Sequence, residues 1–161
     1  MAFRRGPIAL AVLVVATVVV LAVYQVGGVA HFTDNEDRAT VRIEDEGGDE
    51  LAVVDSEVAD GPEERYTGLS DHESLGEDEG MLFVFENEDE RSFVMRNMDF
   101  PIDIVFVDAD GRITTIHEAP TEDGSDLTSY RGEAKWVLEV NRGYTDEHSI
   151  EEGDRVEIEY R

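Results

Sequence analysis

The sequence is 161 residues long, enough for one domain and an appendage, and 41% of its residues are hydrophobic, enough for a packed core. It contains no cysteine, which excludes disulfides, thiolate metal sites and a cysteine nucleophile. Residues 31–161 carry 39 acidic and 11 basic side chains, a net charge of −28 that argues against nucleic acid as a partner.

The first predicted element is a hydrophobic segment near the N-terminus. Residues 8–26 contain no charge, and as a helix they would span about 28 Å, close to the hydrocarbon core of a bilayer. Arg4 and Arg5 precede the segment and acidic residues follow it. The positive-inside rule therefore predicts a cytoplasmic stub at 1–7, a transmembrane helix or signal anchor at 8–26 and an extracytoplasmic remainder. The alternative is a secreted protein whose signal is cleaved near Ala30.

The next part of the chain is typical of β-structure. After a tether at residues 27–38, hydrophobic and charged side chains alternate on both sides of two glycines, which predicts a β-hairpin. Pro62 and the acids that follow it predict a short helix at 62–69. Apolar runs bounded by turn residues predict further strands at 81–85, 92–96, 102–108, 112–118, 136–140 and 155–160.

Turn signals complete the predicted architecture. Asp110-Gly111 predicts a hairpin turn, residues 119–133 a loop, and Thr145 the cap of a short helix at 145–148. About eight short strands predict a mainly β fold. We expect a small antiparallel β-sandwich or barrel-like domain at 39–161 with one or two short helices, preceded by one transmembrane helix.

Several motifs resemble the signature of one family. In chain order these are Glu64-Arg65, Gly68-Leu69, Gly80 to Phe85, Phe93 to Asn97, Pro101 to Ile104, Val137 to Asn141, Gly143 and Gly153-Asp154. Their order and spacing over residues 51–160 resemble the domain of unknown function 192 family, also called uncharacterised protein family 0127. The resemblance implies an exported or membrane-anchored, β-sandwich-like domain without an established activity. Val94, Ser70 and Met98 depart from the pattern, which usually has Trp, Met and Thr there.

Six polar residues among the apolar strands form the predicted ligand pocket: Arg65, Arg96, Asn97, Asp103, Glu139 and Asn141. Strand alternation places Glu139 and Asn141 on one face of their strand, and Asp103 is expected at the mouth of a cleft. A carboxylate buried in an apolar run must find a partner or shift its pKa, and the arginines are the expected partners. Structural ion pairs are the alternative, and they are commoner than catalytic pairs.

No motif predicts a metal or a cofactor. The four histidines, His31, His72, His117 and His148, are dispersed and lack the spacing of zinc ligands. Neither a Gly-rich phosphate loop nor a serine nucleophile motif is present in the sequence.

The acidic excess predicts a halophilic protein. Lys135 is the single lysine among the basic residues. Molar salt shortens the Debye length to about 3 Å and relieves the self-repulsion of so many acids. An ordinary acidic domain with a solvated surface is the alternative.

Two functions remain open from the sequence. The preferred one is a non-enzymatic binding or assembly module outside the cell, whose partners are the membrane, through residues 8–26, and an unidentified ligand or protein. The alternative is a small hydrolase-like enzyme with Asp103 and Glu139 as an acid–base pair. Carboxylates that face one open cleft would favour the enzyme, and carboxylates sealed by Arg65 or Arg96 would favour a structural role.

Overall fold

The computed structural model describes residues 37–161, which belong to one compact unit. The transmembrane segment expected at 8–26 and nearly all of the tether lie outside the described residues. Within the described part of the chain, no helix is long and apolar enough to span a membrane.

Residues 37–161 form seven strands, which make one sheet. The strands are β1 (Arg38–Glu44), β2 (Glu50–Ala59), β3 (Glu79–Phe93), β4 (Ile102–Val107), β5 (Ile113–Ala119), β6 (Tyr130–Asn141) and β7 (Arg155–Tyr160). The helical elements are α1 (Pro62–Thr67), the 3-10 turn η1 (Gly68–Asp71) and α2 (Tyr144–Glu147). A mainly β fold with two short helices is therefore confirmed.

The sheet is mixed rather than purely antiparallel. Its strand order is β5-β4-β6-β3-β2-β1-β7, and every neighbouring pair is antiparallel except β2 and β3. Parallel neighbours need a crossover connection instead of a tight turn. The chain supplies one through α1 and η1, which carry it from the end of β2 to the start of β3.

The two edge strands of the sheet meet at one end. Arg112, just before β5, forms an antiparallel bridge with Arg155 in β7. The Val156 N–H donates to the Gly111 carbonyl at 2.7 Å, and the Gly153 N–H donates to the Ile113 carbonyl at 2.8 Å. A single sheet can bring its edges together only by curling, so this seven-stranded sheet is curved.

The central strands are buried on both faces. All six residues of β4 are buried, and alternate ones belong to different hydrophobic clusters. The inner cluster includes Val105 together with Val41 and Val54 from β1 and β2. The outer cluster includes Phe106 and buried residues of η1 and the loop after β3, such as Leu69. We call the surface of the sheet beneath α1 and η1 the outer face.

Three expected boundaries are wrong. The strands predicted at 81–85 and 92–96 are parts of the single strand β3, whose register against β6 shifts between Val84 and Asp89. The acidic residues inside this strand are exposed, and their charge made the stretch look like a turn. The loop predicted at 119–133 is shorter, because β6 begins at Tyr130.

Candidate functional site

A cleft of about 390 Å³ lies on the outer face of the sheet, between α1–η1 and the second half of β3. This volume is within the range of small-molecule sites. The lining combines arginines, aromatic rings and one carboxyl group from β6.

Local contacts fix α1 against the sheet. The Glu64 carboxylate accepts a hydrogen bond from the Gly61 N–H at 2.8 Å, which caps the first turn of the helix after Pro62. Gly68 ends the helix with φ 52°, a conformation that favours glycine, and a Cβ at this position would lie 3.2 Å from the Phe83 ring. The buried side chain of Leu69 follows and anchors η1 in the outer cluster.

Aromatic rings form one wall of the cleft. The rings of Phe83 and Phe93 meet edge to face with 4.9 Å between their centroids, and Phe93 contacts Phe106 in the same manner at 5.8 Å. Phe85 continues the row along β3. The cleft therefore offers flat apolar surface to a ligand as well as charge.

Three arginines line the cleft from three different elements. Arg65 of α1 donates from Nη1 to the Val84 carbonyl at 2.9 Å. Arg91 of β3 places its guanidinium 4.0 Å from the Phe85 ring centroid. Arg96, in the loop after β3, donates to the Tyr66 carbonyl at 2.6 Å and lies 4.0 Å from the Tyr66 ring centroid.

Within residues 37–161 these three arginines form no ion pair, although acids outnumber basic residues more than three to one. Other arginines of the described part do pair with carboxylates; they are Arg38, Arg42, Arg131, Arg142 and Arg161. The cleft arginines contact main-chain carbonyls and ring faces instead. Their charges are thus left without a carboxylate partner in the described residues.

Glu139 reaches the same cleft from near the C-terminal end of β6. Glu139 is only 6% exposed, and the residues paired with it across the sheet are Met81 on β3 and Ile104 on β4. The side chain makes no hydrogen bond or ion pair within residues 37–161. Burial raises the pKa of the Glu139 carboxyl to about 8, because the apolar surroundings disfavour the charged form.

Asp103 has a different environment, on the opposite face of the sheet from Glu139. In the register of β4 and β6, Ile104 is paired with Glu139 and Asp103 with Val140. Asp103 is fully buried and accepts hydrogen bonds from the Gly143 N–H at 3.1 Å, the Thr145 N–H at 3.0 Å and the Thr145 hydroxyl at 2.7 Å. These donors lie at the start of α2, so Asp103 caps that helix instead of standing at a cleft mouth. The expectation that Thr145 itself is the cap is also wrong.

The structure brings together three of the six predicted site residues: Arg65, Arg96 and Glu139. Asn141 lies outside the cleft and donates to the Gly76 carbonyl at 2.8 Å, which ties the loop before β3 to β6. Asn97 is exposed and has φ 55°, the left-handed conformation that asparagine tolerates in turns. The expected pairing of buried carboxylates with Arg65 or Arg96 is not formed.

Sequence reasoning missed Arg91 and the aromatic wall. Arg91 directly follows the acidic run at 86–90, which looked like a solvated turn. The available signal was the recurrence of Phe83 and Phe85 with the later Phe93, which fits one continuous strand with an irregularity in the middle.

The geometry does not provide the acid–base pair of the hydrolase alternative. Such a pair must flank one substrate, whereas Asp103 and Glu139 belong to opposite faces of the sheet and Asp103 is saturated with donors. Among residues 37–161 there is also no group of three His, Asp or Glu side chains placed to hold a metal ion.

Comparisons with known proteins agree with this fold. The model of the family DUF192, described as Uncharacterized ACR, matches residues 42–158. A proposed transcription regulator from Sinorhizobium meliloti 1021 has 31% identity and a TM-score of 0.68, over 74% of this chain and 92% of that one. A protein of unknown function from Novosphingobium aromaticivorans DSM 12444 has 34% identity and a TM-score of 0.65, over 73% and 83%. No curated protein matches this chain.

Proposed function

The chain belongs to the DUF192 family of uncharacterised proteins, and from this premise we propose that it is a non-enzymatic binding module that holds a small organic ligand in the cleft on the outer face. The proposal rests on the site alone, because the family supplies no activity. The fold serves as a rigid frame: α1 and η1 form one side of the cleft and the long strand β3 forms the other.

One observation carries the proposal: Glu139 is 6% exposed, lines the cleft and has no partner within residues 37–161. In the described residues the enclosed side-chain polar atoms without a partner are Ser56 Oγ and His72 Nδ1, so the Glu139 carboxyl opens to the cleft rather than being sealed in the core. A mostly buried carboxyl group costs free energy, so a folded protein rarely places one among apolar side chains without a use. A ligand in the cleft would supply the missing hydrogen bond. Leucine at this position would fill the same space in the outer cluster without that cost.

The proposal is tested by identifying a small molecule that co-purifies with the protein. The full chain, purified from its own host in molar salt under native conditions, should release a bound small molecule that mass spectrometry identifies. Val94 lines the cleft and is 41% exposed, so Val94→Trp should narrow the cleft without disturbing the core, and the recovered amount should fall.

Val53→Trp is the matched control for this experiment. Val53 is 36% exposed on β2 and lies outside the cleft, so this variant should retain the ligand. A protein that releases no molecule, or two variants that retain it equally, would count against a binding function for this cleft.

A role in transcription, as proposed for the Sinorhizobium meliloti protein, is a weaker candidate for this chain. Nucleic-acid binding requires clustered basic residues that neutralise phosphates. Here residues 31–161 carry a net charge of −28, and within the part of the chain that the structure describes 5 of the 11 basic residues pair with acids. We therefore do not extend that description to this protein.

We place the binding domain outside the cell, held at the membrane by residues 8–26. The charge-free length of that segment and the preceding Arg4 and Arg5 support this location. A tag added after Arg161 should be cleaved by protease supplied to intact cells, and the tagged protein should fractionate with membranes. Recovery of a soluble form that begins at His31 would show instead that the segment is a cleaved signal.

A further inference from the structure

We propose that the cleft selects an organic oxyanion: a carboxylate or a phosphate monoester joined to an aromatic or other flat apolar group. This inference rests on the proposed function, because it names the class of ligand that the cleft holds. The guanidinium groups of Arg65, Arg91 and Arg96 bind the oxyanion, and the phenylalanine wall contacts the apolar part.

The charges around the cleft support an anion. Its basic groups are the three arginines, none of which pairs with an acid in the described residues. Its acidic groups are Glu90 and Glu139. Glu90 is offset by Arg131 at 3.0 Å, and the raised pKa of Glu139 leaves that carboxyl mostly uncharged at neutral pH. The side chains that line the cleft therefore carry a net positive charge, on a strongly negative protein.

The geometry of the arginines also suits an oxyanion. A guanidinium has five N–H donors in a planar fork that matches carboxylate and phosphate oxygens. Arg96 uses only one nitrogen within residues 37–161, for the Tyr66 carbonyl at 2.6 Å. Ring contacts at 4.0 Å hold the guanidinium groups of Arg91 and Arg96, so less freedom is lost when a ligand binds.

A single arginine without an ion pair is not sufficient evidence for an oxyanion site. Arg112, for example, also forms no ion pair in the described part and donates to the Gly153 carbonyl at 3.0 Å, which closes the sheet. At the cleft, three such arginines from three elements converge beside aromatic rings. Contacts that are partly buried are screened by salt much less than exposed ones, so this recognition remains effective in molar salt.

Four probes of similar size test the inference: benzoate, phenyl phosphate, benzyl alcohol and benzylamine. Each is titrated by calorimetry into the full chain, purified in detergent and kept in molar potassium chloride. We expect at least one of the two anions to bind with a dissociation constant of about 1–10 mM, as is reasonable for so small a molecule. The alcohol should bind at least about tenfold more weakly and the amine not at all. The ratio between the two anions tells whether the site prefers a carboxylate or a phosphate.

Arg96→Gln and Arg112→Gln form the matched pair of variants. The first removes a cleft charge and should weaken anion binding about tenfold or more. The second removes a charge outside the cleft that has no ion pair within residues 37–161, and should leave anion binding unchanged. Benzyl alcohol or benzylamine binding as tightly as the anions would overturn the inference and leave the binding function standing. Failure of both anions to bind would overturn it as well. Failure of the proposed function itself is recognised separately: either no native ligand co-purifies with the protein, or the recovered amount is the same for Val94→Trp.

Discussion

At the scale of single residues, the stability of a buried carboxylate depends on the donors that reach it, and Asp103 and Glu139 differ in this respect. Asp103 accepts hydrogen bonds from three donors of Gly143 and Thr145, whereas Glu139 accepts none in the described part of the chain. The sequence places both carboxylates beside apolar strand residues, with Asp103 expected at the mouth of a cleft and Glu139 within its strand. It does not reveal their partners, since the donors to Asp103 lie about 40 residues away and are set by the register of β4 and β6.

Glu139 leads to a prediction for pH. Its pKa is raised by burial from 4.5 to about 8, so the folded state binds the proton more tightly than the unfolded state. Protonated Glu139 therefore contributes fully to the free energy of unfolding below pH 4.5, the pKa of the unfolded state. This contribution of roughly 3–5 kcal/mol is lost as the pH rises through the folded-state pKa of about 8. Chemical denaturation in molar salt should show this decline for the native chain and a much smaller one for Glu139→Gln.

The control for this pH profile is Glu133→Gln, which changes an exposed glutamate on the same strand. It should leave the slope of stability against pH unaltered. Identical slopes for the native chain and Glu139→Gln would show that Glu139 does not hold its proton near neutral pH.

Asp103→Asn should destabilise the protein more than a position at a cleft mouth, as expected from the sequence, would suggest, because Asp103 caps α2. The amide can accept fewer hydrogen bonds than the carboxylate, and buried donors of Gly143 or Thr145 would lose their partner. We expect the free energy of unfolding to fall by about 2–4 kcal/mol in chemical denaturation. Asp99→Asn changes an exposed aspartate and should be nearly neutral. A loss for Asp103→Asn no larger than that of the control would contradict the capping role.

At the scale of elements, the sequence predicted the helices, strands and turns that are specified by residues close together in the chain. The hairpins β1–β2 and β4–β5, the helix α1 and the last strand lie close to their expected positions because alternation and turn residues specify them locally. The parallel pairing of β2 with β3 was missed, because it depends on where the chain returns after α1. The length of β3 was missed because its exposed middle is as acidic as a loop.

The contact between β5 and β7 depends on Gly111. This residue has φ 77°, and a Cβ added to it would lie 2.8 Å from the Val156 carbonyl oxygen. Gly111→Ala should therefore combine backbone strain with separation of the two edge strands, and lower the free energy of unfolding by about 2–4 kcal/mol.

Gly48→Ala is the control, because Gly48 has φ 86° and nothing within 4 Å of the added Cβ. Only the strain of about 1–2 kcal/mol applies there. Equal losses in chemical denaturation would show that the close approach at Val156 contributes nothing.

At the scale of the whole molecule, charge and apolar surface are segregated. Exposed positions of β3 and β7 are largely acidic, while the residues that pack in the two clusters are almost all hydrophobic. Composition alone predicted this separation, because acids spread over a chain that still has a core must lie on its surface. It could not predict that three arginines lack an ion pair within residues 37–161 and gather at one cleft, since that depends on α1, β3 and the following loop meeting in space.

The acidic surface leads to the prediction for salt. With a net charge of −28 on residues 31–161, self-repulsion should destabilise the folded chain in dilute buffer, and molar potassium chloride should relieve it because the Debye length shortens to about 3 Å. The melting temperature of the full chain should therefore rise steeply between tens of millimolar and molar salt. Sucrose is the control, because it favours burial by exclusion from the surface but does not screen charge. If sucrose reproduced the whole effect of the salt, or if the melting temperature did not respond to salt, the acidic residues would not be an adaptation to high ionic strength.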